Sequence, residues 1–164
     1  MTVLIVDASV WVSAADATDG FSEPSRIFLA SVARRANPIA LPDFAELEVA
    51  CALARRLRDA ERGKDLAGQL LRSPLITVHS LDSSLLRRAV EVGTRQLLRA
   101  GDAVYAAVTE LAGGEVVSWD EELIQRAGAV TPREWMEQNA PPEDGQEGAP
   151  GDEPDQRLRT DLME

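Results

Sequence analysis

The sequence predicts an α/β fold of three layers, with a mainly parallel central sheet between two layers of helices. Three observations carry this expectation. Short apolar runs at Val3–Val6, Ile39–Leu41, Leu75–His79 and Glu115–Ser118 read as strands, and the first is apolar throughout, as a strand covered on both faces must be. The runs alternate with longer stretches whose apolar residues recur at helical spacing. No tight hairpin signal lies between any two of them, so the strands are joined by crossovers and run mainly parallel.

Taken in order, the mostly β-branched Val3-Leu4-Ile5-Val6 runs straight into Asp7-Ala8-Ser9, and Val10 to Ala14 continues as an apolar helical turn. Residues Asp16 to Glu23 are turn-like. Ser22 and Pro24 then mark a helix start, with a predicted buried stripe of Leu29, Val32, Ala33 and Ala36 flanked by Phe28, and a stop before Asn37-Pro38. Ile39-Ala40-Leu41 is a short strand. Asp43 is the predicted capping acid of a helix to about Arg58 that buries Leu47, Ala50, Cys51, Ala54 and Leu57. A polar break over Asp59–Lys64 precedes a short helix to Arg72, then the strand Leu75–His79. A long helix from Asp82 to Leu98 is predicted to bury Leu85, Leu86, Ala89, Val90 and Leu97. Gly101-Asp102 breaks it and opens a helix over Ala103–Ala112, which Gly113-Gly114 ends. The strand Glu115–Ser118, a helix over Glu121–Ala127 and an edge strand over Ala129–Thr131 complete the folded part.

The 164 residues suffice for one domain, predicted over residues 1–138. From Asn139 the composition turns to Pro, Gly, Glu, Asp and Gln, which predicts an acidic disordered tail over residues 139–164. No apolar run approaches the roughly 18 residues of a membrane span, and no basic leader precedes the first strand, so a cytoplasmic location is expected. Cys51 and His79 are the sole residues of their types. Intrachain disulfides and multi-histidine or cysteine zinc sites are thereby excluded, and any bound metal is held chiefly by oxygens, favouring magnesium or manganese. The formal charge of −11 argues against a whole-surface nucleic-acid binder. Eight acids against two arginines after Asn139 account for about −6 of it, leaving the body near −5.

Three acids occupy related places. Asp7 follows the first strand, Asp120 follows the strand ending at Ser118, and Asp102 opens a helix after Gly101. Strand carboxyl ends and helix N-termini can share one edge of a parallel sheet, so the three can converge, and a hard divalent cation relieves the resulting repulsion. Asp102 and Asp120 can equally serve as helix caps, and Asp7 less so, because the helix signal after it is less clear. A fourth acid lies in the helix after Asp43, where Glu46 and Glu48 sit in equally apolar settings and physics alone leaves both open.

The segments Val6-Asp7-Ala8-Ser9, Leu47-Glu48-Val49-Ala50, Gly101-Asp102-Ala103-Val104-Tyr105-Ala106-Ala107 and Val117-Ser118-Trp119-Asp120 resemble, in order and spacing, those of PIN domains, above all the VapC toxin ribonucleases of toxin–antitoxin pairs. The resemblance covers roughly residues 2 to 135. Trp119 departs mildly from it, since a smaller residue is more usual there. It favours Glu48 over Glu46. It implies that Asp7, Glu48, Asp102 and Asp120 hold one or two Mg2+ or Mn2+ ions for hydrolysis of RNA, with the hydroxyls of Ser9 and Ser118 nearby. It also implies a small VapB-like antitoxin that blocks the acidic site, and a homodimer formed through helices of the first half. Phosphate contacts fall to arginines, of which Arg55, Arg56 and Arg99 are candidates, although solvated helix faces explain most arginines equally well.

Rivals fall on individual residues. A response-regulator receiver needs a lysine after a late strand, whereas the single lysine is Lys64. A dehalogenase-like phosphatase needs Asp where Ser9 stands, and no G-x-G-x-x-G follows the first strand. The alternative from another class is a PIN-fold module that binds RNA or protein with a weak or inactive site.

Overall fold

All four apolar runs enter one sheet, as β1 (Leu4–Val6), β2 (Ile39–Pro42), β3 (Ile76–His79) and β4 (Glu115–Val117). The structure, a computed structural model, describes residues 1–140, so nearly all of the acidic tail lies outside the described residues. Every pairing is parallel and the order is β3-β2-β1-β4. Central β1 is fully buried, which is why its sequence lacks any polar alternation. Val130 adds only an isolated bridge to Val117 in place of the expected edge strand.

This strand order sets where a site can form. The chain leaves β1 toward β2 and β3, then returns to lay β4 on the other side of β1. The segments following β1 and β4 therefore part from each other, opening a crevice at the carboxyl ends of the two strands. Ligands of open parallel sheets bind in such crevices.

Among the described residues, eight helices flank the sheet: α1 (Ala8–Ala15), α2 (Ser22–Arg35), α3 (Phe44–Leu57), α4 (Ala60–Leu70), α5 (Ser83–Gln96), α6 (Ala100–Ala112), α7 (Glu121–Ala127) and α8 (Pro132–Gln138). α6 packs on β1, β2 and β4 and supplies Tyr105, Ala107 and Val108 to the core. α8 was not expected. It begins with a capping box, the Thr131 hydroxyl accepting from Glu134 N–H and the Glu134 carboxylate from Thr131 N–H.

Several helix faces differ from the periodicity. α2 buries Ser25, Phe28, Ser31 and Val32, while Ala33 and Ala36 are exposed. Two features turn it that way. Phe28 meets Trp135 of α8 edge-on at 5.2 Å, and the Ser25 hydroxyl pairs with Ser13 at 2.7 Å while accepting from Trp119 Nε1 at 2.7 Å. α3 buries Ala45, Val49 and Leu53 and leaves Leu47 and Cys51 exposed, because it is packed by α1, β2 and α4 together. Asp43 does not cap α3, since its carboxylate accepts instead from Leu81 N–H at 3.1 Å.

α4 starts earlier than expected, capped by Asp59. Gly63, expected in a break, lies inside α4, where a Cβ would come within 2.6 Å of the Ala54 backbone. It is there for close helix packing. α5 stops at Leu97, which takes a left-handed conformation (φ 57°), so the break precedes Gly101 and α6 begins at Ala100. Leu86, Val90 and Leu97, expected in the core, are exposed; Val92 and Gly93 face inward instead.

Candidate active site

β1 and β4 deliver Asp7 and Ser118 side by side, with Asp7 N–H donating to Val117 O at 3.0 Å just past the paired strands. Asp7 is 6% exposed and caps α1, its Oδ2 accepting from Ser9 N–H at 3.1 Å and from the Ser118 hydroxyl at 2.9 Å. Ser118 Oγ in turn accepts from Asp120 N–H at 2.9 Å, and Ser9 Oγ accepts from Trp119 N–H at 3.0 Å. Ser118 thus braces the Asp7 carboxylate and the Asp120 backbone, and the two serines together tie the segment after β1 to the segment after β4.

Asp120 caps α7, accepting from Glu122 N–H at 2.8 Å. Asp102 lies in the first turn of α6, whose N-cap position is Arg99, so it is not the cap that its place after Gly101 suggested. Glu48 reaches the same cleft from the second turn of α3, whereas Glu46 is exposed to solvent. Asp7, Glu48, Asp102 and Asp120 therefore meet at one cleft of about 360 Å3, together with Ser9 and Arg99. A Cβ at Gly101 would stand 3.1 Å from Glu48 Oε1, so glycine there lets α6 pass close to that carboxylate.

Two residues of this site were not anticipated in their roles. Arg99 lies among the acids, Nε at 2.8 Å from Asp102 Oδ2 and 2.6 Å from Glu122 Oε2, and Nη2 at 2.6 Å from Asp120 Oδ2. Glu122, two residues beyond Asp120 in the first turn of α7, joins Asp102 and Asp120 in a group whose carboxylate oxygens lie within 4.8 Å of one another. The signal was present in the sequence: a second acid in the first turn after a capping acid shares the cap's end of the helix. Of the other candidate arginines, Arg56 pairs with Asp16 at 3.2 Å and Asp19 at 2.5 Å, and Arg55 is exposed in the last turn of α3.

The electrostatics follow from burial and from Arg99. Burial raises the Glu48 carboxyl above its ordinary range, the nearby charges of Asp7 and Asp102 add to this, and the Tyr105 hydroxyl opposes it. That hydroxyl is fully buried, and neither it nor Glu48 Oε2 makes a well-formed hydrogen bond. Burial, then the charges of Glu48 and Asp7, keeps Tyr105 protonated. Burial also raises Asp102, only partly offset by Arg99. At Asp120 burial is outweighed by the bonds from Arg99 and Glu122 N–H, and the carboxyl lies below its usual range. Arg99 is held firmly charged, by Asp120 first and then Asp102.

Hard oxygen donors from four elements, one of them a buried carboxylate oxygen lacking a partner, fit a magnesium or manganese ion. A larger groove of about 430 Å3 adjoins the cleft at Gly101. It is apolar, lined by Phe44, Leu86, Val90, Leu98 and Val104, and carries no reactive group.

The PIN domain family profile matches residues 4–129. No curated protein sequence gives a significant match. Among solved structures, the chain is similar to Mycobacterium tuberculosis VapC20, a sarcin–ricin loop cleaving toxin, with TM-score 0.65 and 22% identity over 77% of this chain and 96% of that one. It is similar to VapBC2 from Rickettsia felis bound to a DNA fragment from its promoter, with TM-score 0.60 and 11% identity over 79% and 96%. A toxin–antitoxin complex from Klebsiella pneumoniae gives TM-score 0.56 and 16% identity over 79% and 97%. At these identities the likeness is one of fold. Among the described residues no helix is long and apolar enough to cross a membrane.

Proposed function

Because the chain belongs to the PIN domain family, we propose that it is a metal-dependent endoribonuclease, the toxin of a toxin–antitoxin pair. One observation carries the reading: Asp7, Glu48, Asp102 and Asp120, spread over more than a hundred residues of sequence, line a single cleft at the switch point of the sheet. When bound, Mg2+ or Mn2+ supplies an activated water and positive charge for the phosphate transition state. The Ser118 hydroxyl would hold Asp7 by donating to its carboxylate and Asp120 by accepting from its backbone N–H, and Glu48 would close the ligand set from α3. Neither the single histidine nor the single cysteine lines the cleft, so Ser9 there has no histidine to activate it, and the attacking group of this reading is a water.

The proposed partners are the RNA substrate, a small VapB-like antitoxin and a second copy of the chain. Exposed Leu86, Val90 and Leu97 on α5, with Leu47 on α3, support burial of apolar surface against protein. The test of the activity is cleavage of single-stranded RNA with Mn2+ by wild type and by the Asp7→Asn/Asp120→Asn double variant. Cleavage by wild type alone is expected; equal cleavage by both refutes the reading. An inert, RNA- or protein-binding PIN module is favoured by one feature, the occupation of the acidic group by Arg99. What Arg99 does there decides between the two.

A further inference from the structure

We infer that Arg99 is a displaceable counter-cation: it neutralises the acidic group until a divalent ion enters, and then turns to the RNA phosphate. This rests on the nuclease reading above and adds a residue to it.

The geometry puts one guanidinium where three carboxylates converge. Arg99 touches Asp102, Asp120 and Glu122 at 2.6 to 2.8 Å, through Nε and Nη2, and these are oxygens that also lie close enough together to share a metal ion. A guanidinium and a divalent cation cannot both occupy that space. The second observation comes from the far wall of the cleft. Tyr105 is fully buried with its hydroxyl toward Glu48 and Asp7 and without a hydrogen-bond partner, and Glu48 Oε2 is likewise unpartnered. Arg99 satisfies the Asp102–Asp120–Glu122 side of the cleft and leaves the Glu48 side wanting a cation. The acids are thus half neutralised without metal.

Arg99 is free to leave. Its side chain is 61% exposed, and its backbone, the N-cap of α6, makes no side-chain capping bond that movement would break. Ion pairs so exposed are individually weak, and an ion of double charge competes with them effectively. Once displaced, the side chain remains tethered at the mouth of the cleft, three residues from Asp102. A fork of parallel N–H donors there matches a phosphodiester. The same side chain then weakens metal binding and strengthens substrate binding.

The test uses the full-length chain, Arg99→Gln and Arg99→Lys. Calorimetric titration with MnCl2, without RNA, is expected to give about tenfold tighter binding for Arg99→Gln, which is 1.4 kcal/mol. Arg99→Lys, keeping the charge but losing the fork, should fall between the two. In cleavage assays at saturating Mn2+, the KM for single-stranded RNA should rise about tenfold in Arg99→Gln. The two constants move in opposite directions, which a merely structural residue would not produce. Unchanged or weaker Mn2+ binding in both variants overturns the inference while leaving the nuclease reading intact. Absence of Mn2+ binding in wild type and variants alike overturns both.

Discussion

Glu48→Gln should make the metal-free protein more stable while removing its capacity to bind metal. Glu48 is half-buried beside Asp7 and Asp102, with Oε2 unpartnered, and its carboxyl is raised above the ordinary range first by burial and then by those charges. A raised folded-state value means that the native protein holds its proton to higher pH than the unfolded chain does. Stability from this residue is therefore fully present below the usual carboxylate range and is lost as pH rises through the raised value. Glutamine keeps the shape and removes the charge, so the gain should vanish in acid and plateau near neutral pH. Its size should be about 1 kcal/mol, in the range typical of relieving an active-site strain, or about 3 °C in Tm. Metal reverses the order. An ion at 100 times its Kd adds about 2.7 kcal/mol to wild type, and much less to a variant lacking one ligand. Thermal unfolding in EDTA and in Mn2+, at mildly acidic and neutral pH, checks all of this. A lower Tm for Glu48→Gln in EDTA at neutral pH refutes the reasoning, because Glu48 would then be stabilised by partners absent from this structure.

Tyr105→Phe removes a buried hydroxyl that makes no well-formed hydrogen bond yet faces Glu48 and favours its charged form, so Tm should stay within about 1 °C, while Mn2+ affinity drops about threefold as Glu48 becomes harder to ionise; calorimetry separates the two effects. Gly93→Ala places a methyl 2.6 Å from the Ala103 Cβ, and forcing α5 from α6 should cost about 1–3 kcal/mol in urea unfolding. Leu97→Gly relieves a left-handed conformation at an exposed position and keeps the backbone carbonyl that accepts from Arg126, so a gain of about 0.5–1 kcal/mol is expected in the same assay.

The sheet was legible because its strands announce themselves: β1 is apolar throughout, and nothing between the strands can make a hairpin. Asp7 and Asp120 were legible as strand-end acids for the same reason, and Glu48 became so only by family resemblance, since its apolar surroundings in sequence match those of Glu46. What separates them is the side of α3 that faces the cleft, and the rotation of α3 depends on packing by α1, β2 and α4. The faces of α2, α3 and α5 were misread for a related reason. Serines paired inside the protein and glycines chosen for close approach, such as Ser25 in α2 and Gly93 in α5, carry no hydrophobic signal. The end of α5 was hidden because Leu97, no helix breaker, adopts the left-handed conformation. Arg99 reads in the sequence as a candidate phosphate contact, and its place among the acids is hidden there because two of its three carboxylate partners, Asp120 and Glu122, lie some twenty residues further on.

The pairing of β4 with β1 joins the last strand of the sheet to the first. Asp7, Glu48 and Asp102 all precede Glu115 in the chain, yet Ser118 and Asp120 reach Asp7 only after β4 has docked. During synthesis, then, the acidic cleft stays open on one side until β4 and the residues that follow it have emerged, so under the proposed nuclease activity the nascent chain is inert through its first hundred or more residues. Under that proposed activity, a chain ending at Gly114 would retain three of the four acids and should not cleave RNA.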